Sequence, residues 1–121
     1  MSVFSNIEKN RIIHQGKYFF LIKDGYPVSP GHILIISNKE KLDYFELDKN
    51  ERNELTELID KAKEIIENEY NPDGYNIGMN CGKVAGQSVM HFHCHIIPRY
   101  QGDMKNPKGG IRHCIEGKGN Y

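Results

Sequence analysis

The sequence predicts an α+β fold: a five-stranded, mostly antiparallel sheet with one long helix and one short helix, followed by an irregular C-terminal tail. Three observations carry this. Five apolar runs have the length of strands. Between them stand clusters of Gly, Pro, Asn and Asp that turn the chain. One segment only, between Asp48 and Glu69, repeats its apolar residues at spacings of three and four.

The elements follow in order. The run "RIIHQGKYFFLI" places two apolar stretches around Gln15-Gly16, a hairpin with strands near 11–14 and 17–23. Asp24-Gly25, Pro27 and Pro30-Gly31 are turn chemistry, and a third strand runs from Ile33 to Ile36. Ser37 with Glu40 three residues later has the capping-box pattern, which predicts the short helix, ending near Phe45. Asp48 with Glu51 repeats that pattern at the start of the long helix. Leu55, Leu58, Ile59, Ala62, Ile65 and Ile66 form its buried stripe, with Glu and Lys on the solvated side. "NPDG" at 71–74 stops it, a fourth strand follows at 75–80, the loop "CGKVAG" comes next, and a fifth strand covers 88–97. From Pro98 the chain reads as irregular, and the tail 99–121 is expected to cover the site or a partner subunit.

Composition narrows the function classes. The 121 residues fit one domain, and 38% hydrophobic content supports a modest core. A net charge of zero gives no basic surface for a nucleic acid polymer. No apolar run reaches the ~20 residues of a membrane helix, and "MSVFSNIEKNR" lacks the core of a signal peptide. Cys81, Cys94 and Cys114 are odd in number and form no C-x-x-C pair, which suits reduced thiols in the cytoplasm. Residues 38–69 hold eleven acidic and six basic side chains, whereas 99–121 hold five basic and two acidic ones. The basic tail next to the histidines favours an anionic substrate.

Three of the six histidines fall within "HFHCH". On a strand, alternate side chains share a face, about 6.6 Å apart. His91, His93 and His95 are then a row of imidazoles, and Phe92, Cys94 and Ile96 face the core. Three readings compete. The face is simply wet. Or it binds a metal, with two imidazoles completed by His14, His32, His113 or a cysteine. Or it performs phosphate chemistry, with the middle imidazole as nucleophile and a neighbour assisting the leaving group. Gly86, Gln87 and Ser88 lead into the row and offer backbone N–H groups and a hydroxyl to phosphate oxygens. "GKVAGQS" lacks the Walker spacing.

"HFHCHII" at 91–97 resembles the signature of the histidine triad family, and so does the wider "GQSVMHFHCHIIPR". "PVSPGHILII" at 27–36 is similar to that family's earlier Pro-Gly-His strand, and the similarity runs over roughly residues 12–100. The resemblance implies a homodimeric nucleotide hydrolase or nucleotidyl transferase that passes through a nucleotidyl-histidine intermediate, without a metal or other cofactor at the triad; the alternative is a nucleotide-binding regulatory dimer with little catalysis. It implies His93 as nucleophile, His91 orienting it, His95 on the phosphate and leaving group, and His32 beside the triad. It further implies Gly86, Gln87 and Ser88 around the phosphate, Asn80 on the substrate and Asp24 on the ribose hydroxyls. Phe4, Ile7, Phe20 and Ile22 become candidates for the base cleft. Many relatives carry an N-terminal zinc held by cysteine pairs; this chain lacks those pairs, so no structural zinc is expected. The tail is similar to a bacterial branch labelled as diadenosine tetraphosphate hydrolases, which makes an adenine nucleotide the expected substrate. His14 reads as a surface histidine, Cys94 as core, and Arg99, Lys108, Arg112 and His113 as a solvated tail.

Overall fold

The computed structural model describes residues 1–120. Five strands, β1 (Ile12–Gln15), β2 (Phe19–Lys23), β3 (Ile33–Ser37), β4 (Gly74–Gly78) and β5 (His93–Arg99), form one sheet in the order β1-β2-β3-β5-β4. Every neighbouring pair is antiparallel. The last strand is therefore inserted between β3 and β4, and β4 is left at an edge.

Helix α1 (Lys49–Glu69) starts as its sequence dictates. Asp48 accepts from the Glu51 N–H, and Glu51 reaches back to the Asp48 N–H, both at 2.8 Å. Its stripe of Leu55, Leu58, Ala62 and Ile66 packs on Phe19, Leu21, Ile33, Ile35, Cys94 and Ile96. Burying each of the larger side chains contributes roughly 2 kcal/mol. The helix ends at Tyr70, two residues before Pro72. Gly31 lies under the Tyr70 ring with φ +91°, so a Cβ there would strain the backbone and press on that ring. Burial pushes the Cys94 thiol up to about 12, so it is an inert core group.

The opposite sheet face carries Phe20, Ile22, Leu34 and Ile36. It is covered by Phe4 and Ile7 of the N-terminal segment, whose residues Val3–Asn6 form a single 3-10 turn. Among the described residues no helix is long and apolar enough to cross a membrane.

The structure corrects four expectations. The short helix at 37–45 does not form. Ser37 is the last residue of β3 and its hydroxyl donates to the Lys39 carbonyl, while Asp43 caps a 3-10 turn at Tyr44–Glu46. β4 ends at Gly78 rather than at 80. β5 begins at His93 rather than at 88, because β3 ends at Ser37 and its last ladder partner is Ile36 opposite His93. β5 also runs past Pro98 to Arg99, and the tail holds a 3-10 turn at Gly110–Cys114.

The hairpin joining β1 and β2 is held from the helix. The Glu54 carboxylate accepts the N–H groups of Lys17, Tyr18 and Phe19 at 3.0, 2.7 and 3.1 Å. Three donors on one ionised group make a charge-assisted cap, worth more than neutral bonds. Glu54→Ala is expected to lower the unfolding free energy by about 2 kcal/mol, measured by urea denaturation. An unchanged midpoint would mean the hairpin closes without it.

Candidate active site

Register builds the site. His93 pairs with Ile36 and His95 with Leu34, so both imidazoles stand on the face away from α1. His32 is the residue before β3, and Asp24 the residue after β2. The Asp24 N–H donates to the His32 carbonyl at 3.0 Å, which brings the two side chains together beside His95.

His91 is not part of the row. It precedes β5, is 1% exposed, and lies under the N-terminal turn. Its Nε2 contacts the Ser37 carbonyl at 2.7 Å and its Nδ1 the Ser2 hydroxyl. The even spacing of the histidines continues past the point where strand pairing stops.

Main-chain partners assign the protons on the rings. A carbonyl only accepts, so His93 Nδ1, at 2.8 Å from the His91 carbonyl, carries the proton and donates it. In its neutral form the ring then keeps a lone pair on Nε2. The Val28 N–H donates to His32 Nδ1 at 3.2 Å, so the His32 proton sits on Nε2. That Nε2–H faces His95 Nδ1 at 2.9 Å and the Asp24 carboxylate at 3.3 Å. His95 Nδ1 is thereby an acceptor, and its Nε2 holds the proton. The site offers a nucleophilic nitrogen on His93 and an N–H donor on the adjacent His95, the two ring centroids 5.3 Å apart.

Two of the rings are pushed toward the neutral form. Burial, then the nearby His93 and His32, pull the His95 pKa down to about 4 against the opposing pull of Asp24. Burial also lowers that of His32, outweighing Asp24. The Asp24–His32 contact is therefore a hydrogen bond to a neutral imidazole.

Asp24, His32 and His95 offer ligand atoms that all lie within 4.8 Å of one another. A cation there would need the His32 Nε2 lone pair, but the Val28 N–H fixes a proton on that nitrogen. The donor set does not fit a metal without changing this tautomer.

Two cavities meet at His95. One, of about 680 Å³, is lined by Phe4, Ile7, Ile22, Asp24, Ser88 and His93. The other, of about 700 Å³, is lined by His32, Gly78, Asn80, Ile97, Gly110 and Ile111. Ser88 is exposed and reaches the first cavity. Phe20 is buried with Ile22, Leu34 and Ile36 beneath it. Asn80 is exposed, and lies close enough to Gly86 that a Cβ there would sit 3.7 Å from its amide.

Gln87 behaves differently from Ser88. It is 3% exposed, accepts the Gly82 N–H at 2.8 Å, and donates to the Leu42 and Val89 carbonyls. Its amide closes the loop that presents Ser88. In the tail, Arg99 pairs with Asp103 and Asn76, and His113 donates to the Lys108 carbonyl. His14 is half-buried in β1. Ser2 and the Val28 N–H carry no pattern that sequence spacing reveals; Gly78, a bare strand position opposite His95, was legible only as a strand glycine.

Comparison with known proteins gives a consistent picture. The model of the HIT domain matches residues 5–102. The AP-4-A phosphorylase of Mycobacterium tuberculosis is 33% identical over 97 residues, 79% of this chain and 50% of that protein. The bis(5'-adenosyl)-triphosphatase of Dictyostelium discoideum is 33% identical over 101 residues, 78% of this chain and 68% of that one. The crystal structure of Plasmodium falciparum diadenosine triphosphate hydrolase is similar with a TM-score of 0.76 at 35% identity, over 83% of this chain and 68% of that one. The chain spans about half the length of the mycobacterial relatives it matches.

The neutral His95 has a consequence for stability. Between about pH 6.5 and 4 the unfolded chain binds a proton at this residue and the folded chain does not. Stability from this group is full above about pH 6.5 and falls as pH drops through that window. Urea midpoints at pH 7 and pH 5 are expected to differ less in His95→Asn than in the parent. An equal difference would mean that His95 titrates normally.

Proposed function

Because the chain belongs to the HIT domain family, we propose that it is a metal-independent nucleotide hydrolase or nucleotidyl transferase. Its substrate is a dinucleoside polyphosphate, with adenine the expected base, or a nucleoside phosphoramidate. The observation that carries this reading is the His93 Nδ1 contact with the His91 carbonyl, which leaves Nε2 as the unprotonated nitrogen in the cavity.

His93 Nε2 attacks the α-phosphorus and forms a P–N bond. The P–O or P–N bond to the leaving group breaks and the leaving group departs with the electron pair, the amine of a phosphoramidate taking a proton from solvent and leaving as ammonia. His95 Nε2–H donates a hydrogen bond to it. The Nδ1 proton stays on His93, and the His91 carbonyl steadies the positive charge that the ring now carries. Water then adds to phosphorus, its proton passes to solvent, and the P–N pair returns to Nε2 as the nucleoside monophosphate leaves.

Ser88 and the loop glycine Gly86 hold the phosphate region, and Asn80 contacts the substrate. Asp24, at the cavity wall, accepts the ribose hydroxyls, and Phe4, Ile7 and Ile22 flank the base. Gln87 serves the phosphate indirectly, through the loop. The names of the relatives, a bis(5'-adenosyl)-triphosphatase and an AP-4-A phosphorylase, support the substrate class. The second name favours a further option, in which inorganic phosphate replaces water and the product gains one phosphate.

His93→Ala is expected to lose more than about a hundredfold in turnover while keeping its thermal unfolding midpoint. The assay is chromatography of diadenosine tetraphosphate and adenosine 5′-phosphoramidate, with chelator-treated protein, with and without added phosphate. AMP without ADP indicates water as the acceptor, and phosphate-dependent ADP indicates phosphorolysis, with ATP released from the tetraphosphate in either case. Loss of activity on chelation would remove the metal-free mechanism.

A homodimer and a cytoplasmic setting belong to the same proposal. β4 is a free edge, Ile77 on it is 45% exposed, and Ile111 beside the larger cavity is 73% exposed. Light scattering is expected to give twice the 14.0 kDa chain mass for the parent and a single chain for Ile77→Lys. A dimer that survives this change would put the interface elsewhere.

A further inference from the structure

Ser2 is separated from His91 by 89 positions, yet its hydroxyl lies 2.5 Å from His91 Nδ1. The same oxygen accepts the Phe4 N–H at 3.1 Å. A hydroxyl has one proton. With Phe4 donating to the oxygen, that proton goes to His91 Nδ1. His91 Nε2–H donates to the Ser37 carbonyl, so both ring nitrogens are used. The His91 ring is 1% exposed and its bond to the Ser37 carbonyl is buried, while the bond to the half-buried Ser2 is partly buried.

What the ring holds in place is its own main chain. The His91 carbonyl is the acceptor that fixes the proton on His93 Nδ1. The turn capped by Ser2 also carries Phe4, whose ring meets His91 edge-on at 5.8 Å and His93 at 5.0 Å. We propose that Ser2 is a positioning residue: through His91 it sets the orientation and tautomer of His93. The N-terminal turn is then part of the machinery rather than only a cover for the apolar face. This inference rests on the nucleotidyl-transfer reading for its kinetic consequence, but not for its structural one.

The test compares Ser2→Ala, Ser2→Gly and Ser2→Thr. Glycine is nearly as good an N-cap as serine, and alanine is not, whereas both lack the hydroxyl. Ala and Gly variants are each expected to lower kcat about tenfold, as loss of one hydrogen bond to a buried group does, with KM within about twofold. Thr restores the rate. Nitrogen-15 NMR of histidine-labelled protein is expected to show His93 protonated on Nδ1 in the parent, and a mixture of tautomers in the Ala variant. A Gly variant at the parental rate would reduce Ser2 to a cap and overturn the proposal. So would an unaltered His93 spectrum in Ser2→Ala. If the parent turns over neither dinucleotide nor phosphoramidate, the functional reading fails, and the spectra alone still decide the role of Ser2.

Discussion

The pairing of β5 with β3 is the constraint on which the rest depends. Ile36 opposite His93 and Leu34 opposite His95 decide which side chains face the helix and which face the cavities. A slip of one residue would exchange the faces, burying imidazoles against α1 and exposing Cys94 and Ile96. The slip is resisted from the helix side, where Phe92, Cys94 and Ile96 fill the core among Leu55, Leu58 and Ala62. The chemistry on one face is kept in register by packing on the other.

Crowding three imidazoles together adds a second constraint. The His95 ring centroid lies 5.2 Å from that of His32 and 5.3 Å from that of His93, and charging His95 together with either would set like charges side by side in a poorly hydrated site. Burial disfavours the charged forms of His32 and His95, which makes each proton position there a matter of hydrogen-bond partners. A neutral ring is both donor and acceptor, so one ring's assignment passes to the next, from Val28 through His32 to His95.

Much of this was legible in the sequence, for physical reasons. The period of the Leu/Ile stripe and the Asp48–Glu51 pair specified α1, because both are local. Alternation placed His93 and His95 on one face and Cys94 on the other. Family resemblance supplied Asp24 and His32, which the β2–β3 pairing brings together. The failures came where tertiary contacts overrode local pattern. His91 shares the spacing but precedes the β3–β5 ladder, which ends at Ile36 opposite His93, so it became a buried brace on the Ser37 carbonyl. The capping pattern of Ser37 and Glu40 was outcompeted because Ser37 extends β3 and bonds forward to Lys39. Gln87 resembled a phosphate ligand, yet burial left its amide only loop partners. Ser2 carried no signal, since nothing local reports a contact that spans the chain.

Three of the groups that hold the rings are main-chain atoms: the Val28 N–H, the His91 carbonyl and the Ser37 carbonyl. No substitution short of proline, or of a change in backbone path, deletes a peptide group. Residues 28 and 37 can therefore drift in identity, as far as their packing tolerates, while the proton arrangement on His32 and the Nε2 anchor of the His91 ring are inherited with the fold. Sequence divergence around such a site erodes its outline long before it erodes its chemistry.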